Sequence, residues 1–343
     1  MNTAPRPQKP KPKILIDRAQ CRVIAEHIAK LGVPKDEEDP MALSFPPLVA
    51  ENAWWTVVAI CHQTTPVQGT AFRGYVGGVL RKGWDYLLQK SIVEANRDPK
   101  LFTRAWLEQV SGKDLIDLYH DDTEGDTLNR PWSRAELLRE LGAFLARNGW
   151  VSIRECYSAS ESYIIRKDGG GLAERMQTVK AYADPVEKKF FYFLALMQNQ
   201  GFWKYRDPKH LSSPVNYHEQ RGHFRLGSVK VTDPELEAKI RTRVNITPEE
   251  DIEIRFAVRR AIEYIARLLG ITPAMAHYFF WNYFRNCCAR EAVHCGGCGN
   301  ACKLPERYRM GQHSCVLAPA CKSRGMPVKE MLIEPRLDDT IWQ

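Results

Sequence analysis

Apolar residues recur at helical spacing along almost the whole chain. Within residues 14–31 they fall at Ile16, Val23, Ile24, Ile28 and Leu31, with Gly32 at the end and Pro34 beyond, which predicts one helix. Residues 53–61 form a strongly apolar stretch that holds Trp54 and Trp55 and runs into HQTTP. Amphipathic helices are predicted over 72–90, 100–109 and 132–148, the last with Ser133 as its cap. In DPVEKKFFYFLALMQNQG, Asp184 suits the N-cap and Pro185 the first helical position. A helix is expected from there, with Lys188 and Lys189 in its first turns. Thr247-Pro248-Glu249-Glu250 combines a capping box with proline at the first position. Ile254, Val258, Ala261, Ile265 and Leu268 then mark one buried face, and Gly270 stops it. Thr272-Pro273 opens a last long helix that leads into cysteines. Only LGSVKVT, residues 226–232, alternates like a strand, and the same pattern fits a loop equally well. The pattern predicts an all-α fold with little or no sheet.

With 343 residues, 44% of them hydrophobic, the chain can bury a sizeable core as two subdomains or one large domain. DGGG at 168–171 is a loop signal, and it suggests a helical subdomain over 14–170 followed by a second over 171–286 and a cysteine-rich segment over 287–343. Residues 1–13, MNTAPRPQKPKPK, lack the apolar core of a secretory signal and read as a disordered basic arm. No apolar run approaches a membrane span, so a cytoplasmic monomer is expected. The net charge of +8 favours a polyanionic partner such as nucleic acid without requiring one.

Ten cysteines are spread unevenly: Cys21, Cys61 and Cys156 stand alone, and seven lie between Cys287 and Cys321. Cys288-x6-Cys295-x2-Cys298, then Cys302 and Cys315-x5-Cys321, can converge on one inorganic centre, either zinc or a [4Fe–4S] cluster. VNYHEQRGHFRLG, residues 215–227, packs two amides, two histidines, a carboxylate and two arginines into thirteen positions.

The C-x6-C-x2-C run after the last long helix resembles the iron–sulfur loop of helix-hairpin-helix DNA glycosylases. VNYHEQRGHFRLG resembles that superfamily's V-D-x-H-x-x-R followed by R-L-G at Val215, His218, Arg221, Arg225, Leu226 and Gly227. The chain is also similar to the queuosine-salvage glycosylases, through the Lys188-Lys189 pair, DIEIRFAV at 251–258, WWTVVAICHQT and GWDYLL. It departs from the superfamily in three places. GNACKLPERYRMGQHS is inserted after Cys298, DPVEKK lacks the hairpin's Gly-x-Gly, and Asn216 stands where the catalytic aspartate is expected.

The resemblance implies a helix-hairpin-helix glycosylase-like core and a [4Fe–4S] cluster on Cys288, Cys295, Cys298 and Cys321, with Cys315 or Cys302 as substitutes and zinc as the alternative metal. It implies a DNA N-glycosylase that removes a modified or bulky base flipped from duplex DNA, for repair or for defence against phage. Cleaving the base–sugar bond builds positive charge on the sugar, which a carboxylate stabilises and a lysine can capture. Asn216, Lys189 and Lys188 are therefore the catalytic candidates. His62, Gln63, Trp84, Asp85, Tyr217, His218, Glu219 and Arg221 are the substrate-binding candidates. Asn216 leaves three readings open: an active-site variant that traps substrate, a charge supplied by Glu219 or Asp85, or binding without cleavage. A salvage glycosylase acting on a free modified nucleotide is the alternative enzyme, and a non-catalytic DNA-binding protein the alternative class.

Overall fold

The computed structural model describes residues 12–33, 45–64, 71–298, 302–310, 314–338 and 340–342. Residues 1–11 of the basic arm, and 299–301 and 311–313 of the insertion, lie outside the described residues. Along the chain run β1 (Ile14–Ile16), α1 (Arg18–Leu31), α2 (Ala50–Ile60), β2 (Arg73–Val76), β3 (Val79–Lys82), α3 (Trp84–Arg97), α4 (Arg104–Gln109), α5 (Gly112–Leu118) and α6 (Pro131–Arg147). There follow α7 (Ile153–Ala159), α8 (Leu172–Met176), α9 (Lys188–Asn199), α10 (Tyr217–Leu226), β4 (Val229–Val231), α11 (Pro234–Thr242), α12 (Pro248–Leu269), α13 (Pro273–Asn286) and α14 (Glu306–Arg309). The fold is mostly helical, and the strands form two two-stranded sheets. None of the described helices is long and apolar enough to cross a membrane.

The chain divides into two units. One takes Lys35–Asn216 with Pro273–Met275 and Asp338–Gln343; the other takes Met1–Pro34, Tyr217–Thr272 and Ala276–Leu337. The boundary therefore falls at 216/217 rather than at the DGGG loop, and the first helix belongs with the C-terminal half. Periodicity carries no trace of this, because it arises from pairing between distant segments.

In the α2–α9 unit, α2 is the centre. Ala50 and every residue from Asn52 to Ile60 are buried, so the helix has no solvent face and is core all round. Helices α3, α6, α7 and α9 pack around it. Trp55 stacks on Tyr182 at 6.1 Å between ring centres, and the Tyr182 hydroxyl donates to the Trp55 carbonyl at 2.5 Å. The helix expected over 72–90 is instead a hairpin followed by a helix. Arg73 pairs with Lys82 and Val76 with Val79 across Gly77 and Gly78, whose φ values of 59° and 76° suit a tight two-residue turn. α6 starts at Pro131 without a side-chain cap, so Ser133 lies inside it. α9 starts at Lys188, three residues later than expected. The Asp184 carboxylate accepts from the Val186 and Lys188 amides at 3.1 and 3.0 Å, across a turn that ends at Glu187 with φ 57°.

In the other unit, β1 pairs antiparallel with β4, Ile14 opposite Val231 and Ile16 opposite Val229. The alternation at 226–232 thus does mark a strand, and the predicted first helix loses its leading residues to its partner. Asp17 caps α1 by accepting from the Gln20 amide at 2.9 Å. α1 packs on α12, which has the expected capping box. Thr247 Oγ1 accepts from the Glu250 amide at 3.2 Å, Glu250 Oε2 accepts from the Thr247 amide at 3.0 Å, and the helix ends at Gly270 with φ 67°.

Candidate functional site

The last carbonyls of a helix have no partner within it. At the end of α2 two buried cations supply them. The Lys189 ammonium donates to the Ala59 carbonyl. The Arg134 guanidinium donates to the Ile60 carbonyl, to the His62 carbonyl at 2.7 Å and to Asn129 O at 2.8 Å. Lys189 is 2% exposed and Arg134 not at all. Burial, followed by the charge of Lys188, lowers the Lys189 amine to about 7. Burial lowers Arg134 to about 10.

His62 follows directly. It is 1% exposed, and neither ring nitrogen has a hydrogen-bond partner among the described residues. Burial, and then the charges of Lys189 and Arg134, push its pKa well below the ordinary value, so the ring is neutral. The Cys61 thiol, its sulfur enclosed although the residue is only half-buried, is pushed up by burial against the pull of Lys188 and Lys189. Asp85 acts on the same thiol. Five residues thus gather around the end of α2: Lys188, Lys189, His62, Asp85 and Cys61. Gln63, at φ 46°, donates to the Asp338 carbonyl and accepts from Asn129 at 2.7 Å. Trp84 opens α3 half-buried and sits edge-on to Tyr192 at 5.4 Å. Two of the pocket candidates, His62 and Asp85, therefore share a neighbourhood with the two lysines, while Gln63 and Trp84 make structural contacts beside it.

Asn216 is half-buried and immediately precedes α10. On that helix every residue from Glu219 to Leu226 is buried. Glu219, with no exposure, holds His277 through Oε1 and Nδ1 at 2.7 Å. Arg221, 2% exposed, donates to Glu334 at 2.7 Å, to the Cys288 carbonyl at 2.8 Å, to the Phe284 carbonyl at 3.1 Å and to His218 Nδ1 at 2.9 Å. Arg290 also binds Glu334. Burial raises Glu334, but Arg221 and Arg290 more than offset it and hold the carboxyl below its ordinary range. Tyr217 and His218 are half-buried with their rings 4.1 Å apart. Glu219 and Arg221 are thus internal ties, whereas Asn216, Tyr217 and His218 keep partial access to solvent. Gly222 lets α10 approach α13, since a Cβ there would lie 2.2 Å from the Phe284 ring.

The same helix reaches the cysteines. Arg225 donates to the Cys288 thiol at 3.3 Å and to the Ala289 carbonyl at 2.7 Å, and the Cys321 thiol donates to the Arg225 carbonyl at 3.3 Å. None of the seven cysteines from Cys287 to Cys321 forms a disulfide. Among the described residues no group of three His, Cys, Asp or Glu side chains is arranged to hold a metal ion. That closeness is what one zinc requires, with each bond about 2.3 Å long; an iron–sulfur cluster is a larger body with its thiolates spread around it. The chemistry of the donor set fits such a cluster. The thiols are numerous and unpaired by disulfides, and a fixed guanidinium already donates to one sulfur, as outer partners of metal-bound thiolates do.

Sequence reasoning missed Arg134, His277 and Glu334. Arg134 and His277 sit at helical spacing among apolar residues, where a polar residue aimed inward is a usable signal. Glu334 has no local signal at all. Compared with known proteins, the chain matches no family model and no curated protein sequence.

Proposed function

We propose that the protein is an N-glycosylase that cleaves the base–sugar bond of a modified base in DNA. The observation that carries the reading is helix α10: it begins directly after Asn216, and its Arg225 donates to the Cys288 thiol. The resembled motif on α10 and the cysteine segment thus meet within one unit. The net charge of +8 suits a DNA partner. Bound by the cysteines, an iron–sulfur cluster would order the C-terminal segment rather than carry electrons.

In this reading the sugar develops positive charge as the base leaves. The Asn216 amide can orient a water by hydrogen bonding but offers no charge to stabilise it. Glu219 does not take over, because it is buried against His277. Lys188, half-buried at the start of α9, is the group for a backbone phosphate. Burial lowers the Lys189 amine to about 7, so it releases its proton more readily than a free lysine and can offer the lone pair a nucleophile needs. The uncharged Asn216 also favours a second reading, a protein that binds modified DNA without cleaving it.

Asn216→Asp separates the two. Duplexes carrying different modified bases are incubated with each protein, and released base is measured by mass spectrometry. Restoring a carboxylate should speed release from at least one duplex by about 10²–10³-fold, the effect of one electrostatic group. A variant that binds the duplexes but releases nothing leaves the binding reading standing. Binding to free modified nucleotide alone, with no salt-dependent affinity for duplex, would transfer the activity to salvage.

A further inference from the structure

Seven cysteines outside any disulfide are more than one cluster needs, and their surroundings divide them. Two backbone ties bring one set together. Cys288 forms an antiparallel bridge with Val293, and the Cys315 amide donates to the His294 carbonyl at 3.3 Å, which sets Cys315 beside the residue preceding Cys295. Arg225 fastens the remaining member by donating to the Cys288 thiol while its carbonyl accepts from Cys321, both at 3.3 Å. Cys298 is placed differently. Its thiol is hydrogen-bonded to Cys302, and both face Arg309, which donates to the Cys302 carbonyl at 3.3 Å. Cys287, at the end of α13, is buried between the two sets.

We infer that the metal centre of this chain is held by Cys288, Cys295, Cys315 and Cys321, and that Cys298 and Cys302 form a separate thiol pair outside it. This rests on the iron–sulfur reading and changes its ligand set. Both closing ligands come from one short segment, CVLAPAC. The third cysteine of the C-x6-C-x2-C run is released from the centre, and the inserted residues 299–314 provide it with a partner in Cys302. A closing pair that follows the insertion accounts for why the cluster loop tolerates sixteen added residues, since none of them separates Cys315 from Cys321.

The test is made on full-length protein purified without oxygen, with iron, sulfide and zinc measured per chain and absorbance read near ~400 nm. Wild type and Cys298→Ser/Cys302→Ser should both hold about four iron per chain with equal absorbance. Cys315→Ser and Cys321→Ser should lose at least three-quarters of it. Cys315 is buried, so its variant can fail to fold. The double variant decides without it, because iron loss there overturns the ligand set. A second measurement uses wild type alone. Brief iodoacetamide treatment followed by peptide mass spectrometry should label Cys298 and Cys302 and leave Cys288, Cys295 and Cys321 unlabelled until the metal is chelated. Protection of Cys298 equal to that of Cys288 also overturns the inference. Zinc in place of iron, with the same dependence on Cys315 and not on Cys298, keeps the ligand set and removes the iron–sulfur reading. Wild type with no metal removes both.

Discussion

At the end of α2, Lys189 and Arg134 are buried and donate to backbone carbonyls, and neither forms an ion pair among the described residues. On α10, Arg221 is equally buried, but Glu334 faces it at 2.7 Å. Both arrangements satisfy the donors. They differ in charge: a helix end offers about half an elementary charge of opposite sign, a carboxylate a whole one. Burial and the charge of Lys188, against only that weaker partner, leave Lys189 with a loosely held proton, at about 7, while Arg221 and Arg290 fix the ionised state of Glu334. The end of α2 is therefore suited to chemistry that needs a change of charge. The α10 network is suited to holding a helix in place.

If that contrast is right, Glu334→Ala has the largest effect. It strands Arg221 without its counter-charge in a site that is 2% exposed. Removing one member of a buried pair costs about 3–5 kcal/mol, because the other stays buried and unpaired. Urea unfolding should report a loss in that range. A loss under about 1 kcal/mol would mean that Arg221 regains water when its partner goes, and that the network is not a rigid tie.

Lys189→Met tests the other side. The folded pKa of Lys189 is lowered to about 7 from the ordinary lysine value of 10.5, so the unfolded chain binds the extra proton between those values. Stability attributable to this residue must then rise with pH across that window, by about 1.4 kcal/mol per unit, with the full penalty in force below about pH 7. Methionine fills the space without a proton to lose. The difference in unfolding free energy between Lys189→Met and wild type should favour the variant at pH 6 and shrink steadily up to about pH 10. Taking the difference cancels the cysteines and tyrosines that also titrate there. A difference that does not change with pH would mean that Lys189 keeps its proton, and the nucleophile role would fall with it.

The same contrast marks what could be read in advance. α12 was legible from end to end because its cap, proline, buried face and terminating Gly270 all lie within 24 consecutive residues. The 73–82 hairpin was not, since two four-residue strands around Gly77-Gly78 also fit helical spacing. The polar density of 215–227 was visible, but its meaning depended on partners far away: Glu334 lies 113 positions from Arg221, and His277 lies 58 from Glu219. Those partners turn two substrate-binding candidates into internal ties. The residue types at the end of α2 were legible too, but the Ala59 carbonyl that holds Lys189 is open to it only once α2 has ended beside it.

The smallest effect compares two helix starts, one in each unit. Thr247 accepts from the Glu250 amide at 3.2 Å, and Glu250 also binds Lys13 at 2.8 Å and Lys239 at 3.3 Å. Ser133, read from the sequence as the cap of α6, lies inside that helix after Pro131, with Arg130 at the cap position and φ 51°. Thr247→Ala removes an acceptor that the helix end needs and should cost about 1 kcal/mol. Ser133→Ala removes none, and alanine is the better residue within a helix, so its effect should stay within about 0.5 kcal/mol and lean towards stabilisation. Equal losses in urea unfolding would place Ser133 at the cap after all and shift the start of α6. Because α6 carries Arg134 in its first turns, such a shift would also move the guanidinium away from the carbonyls at the end of α2, so the smallest measurement bears on the geometry of the candidate site itself.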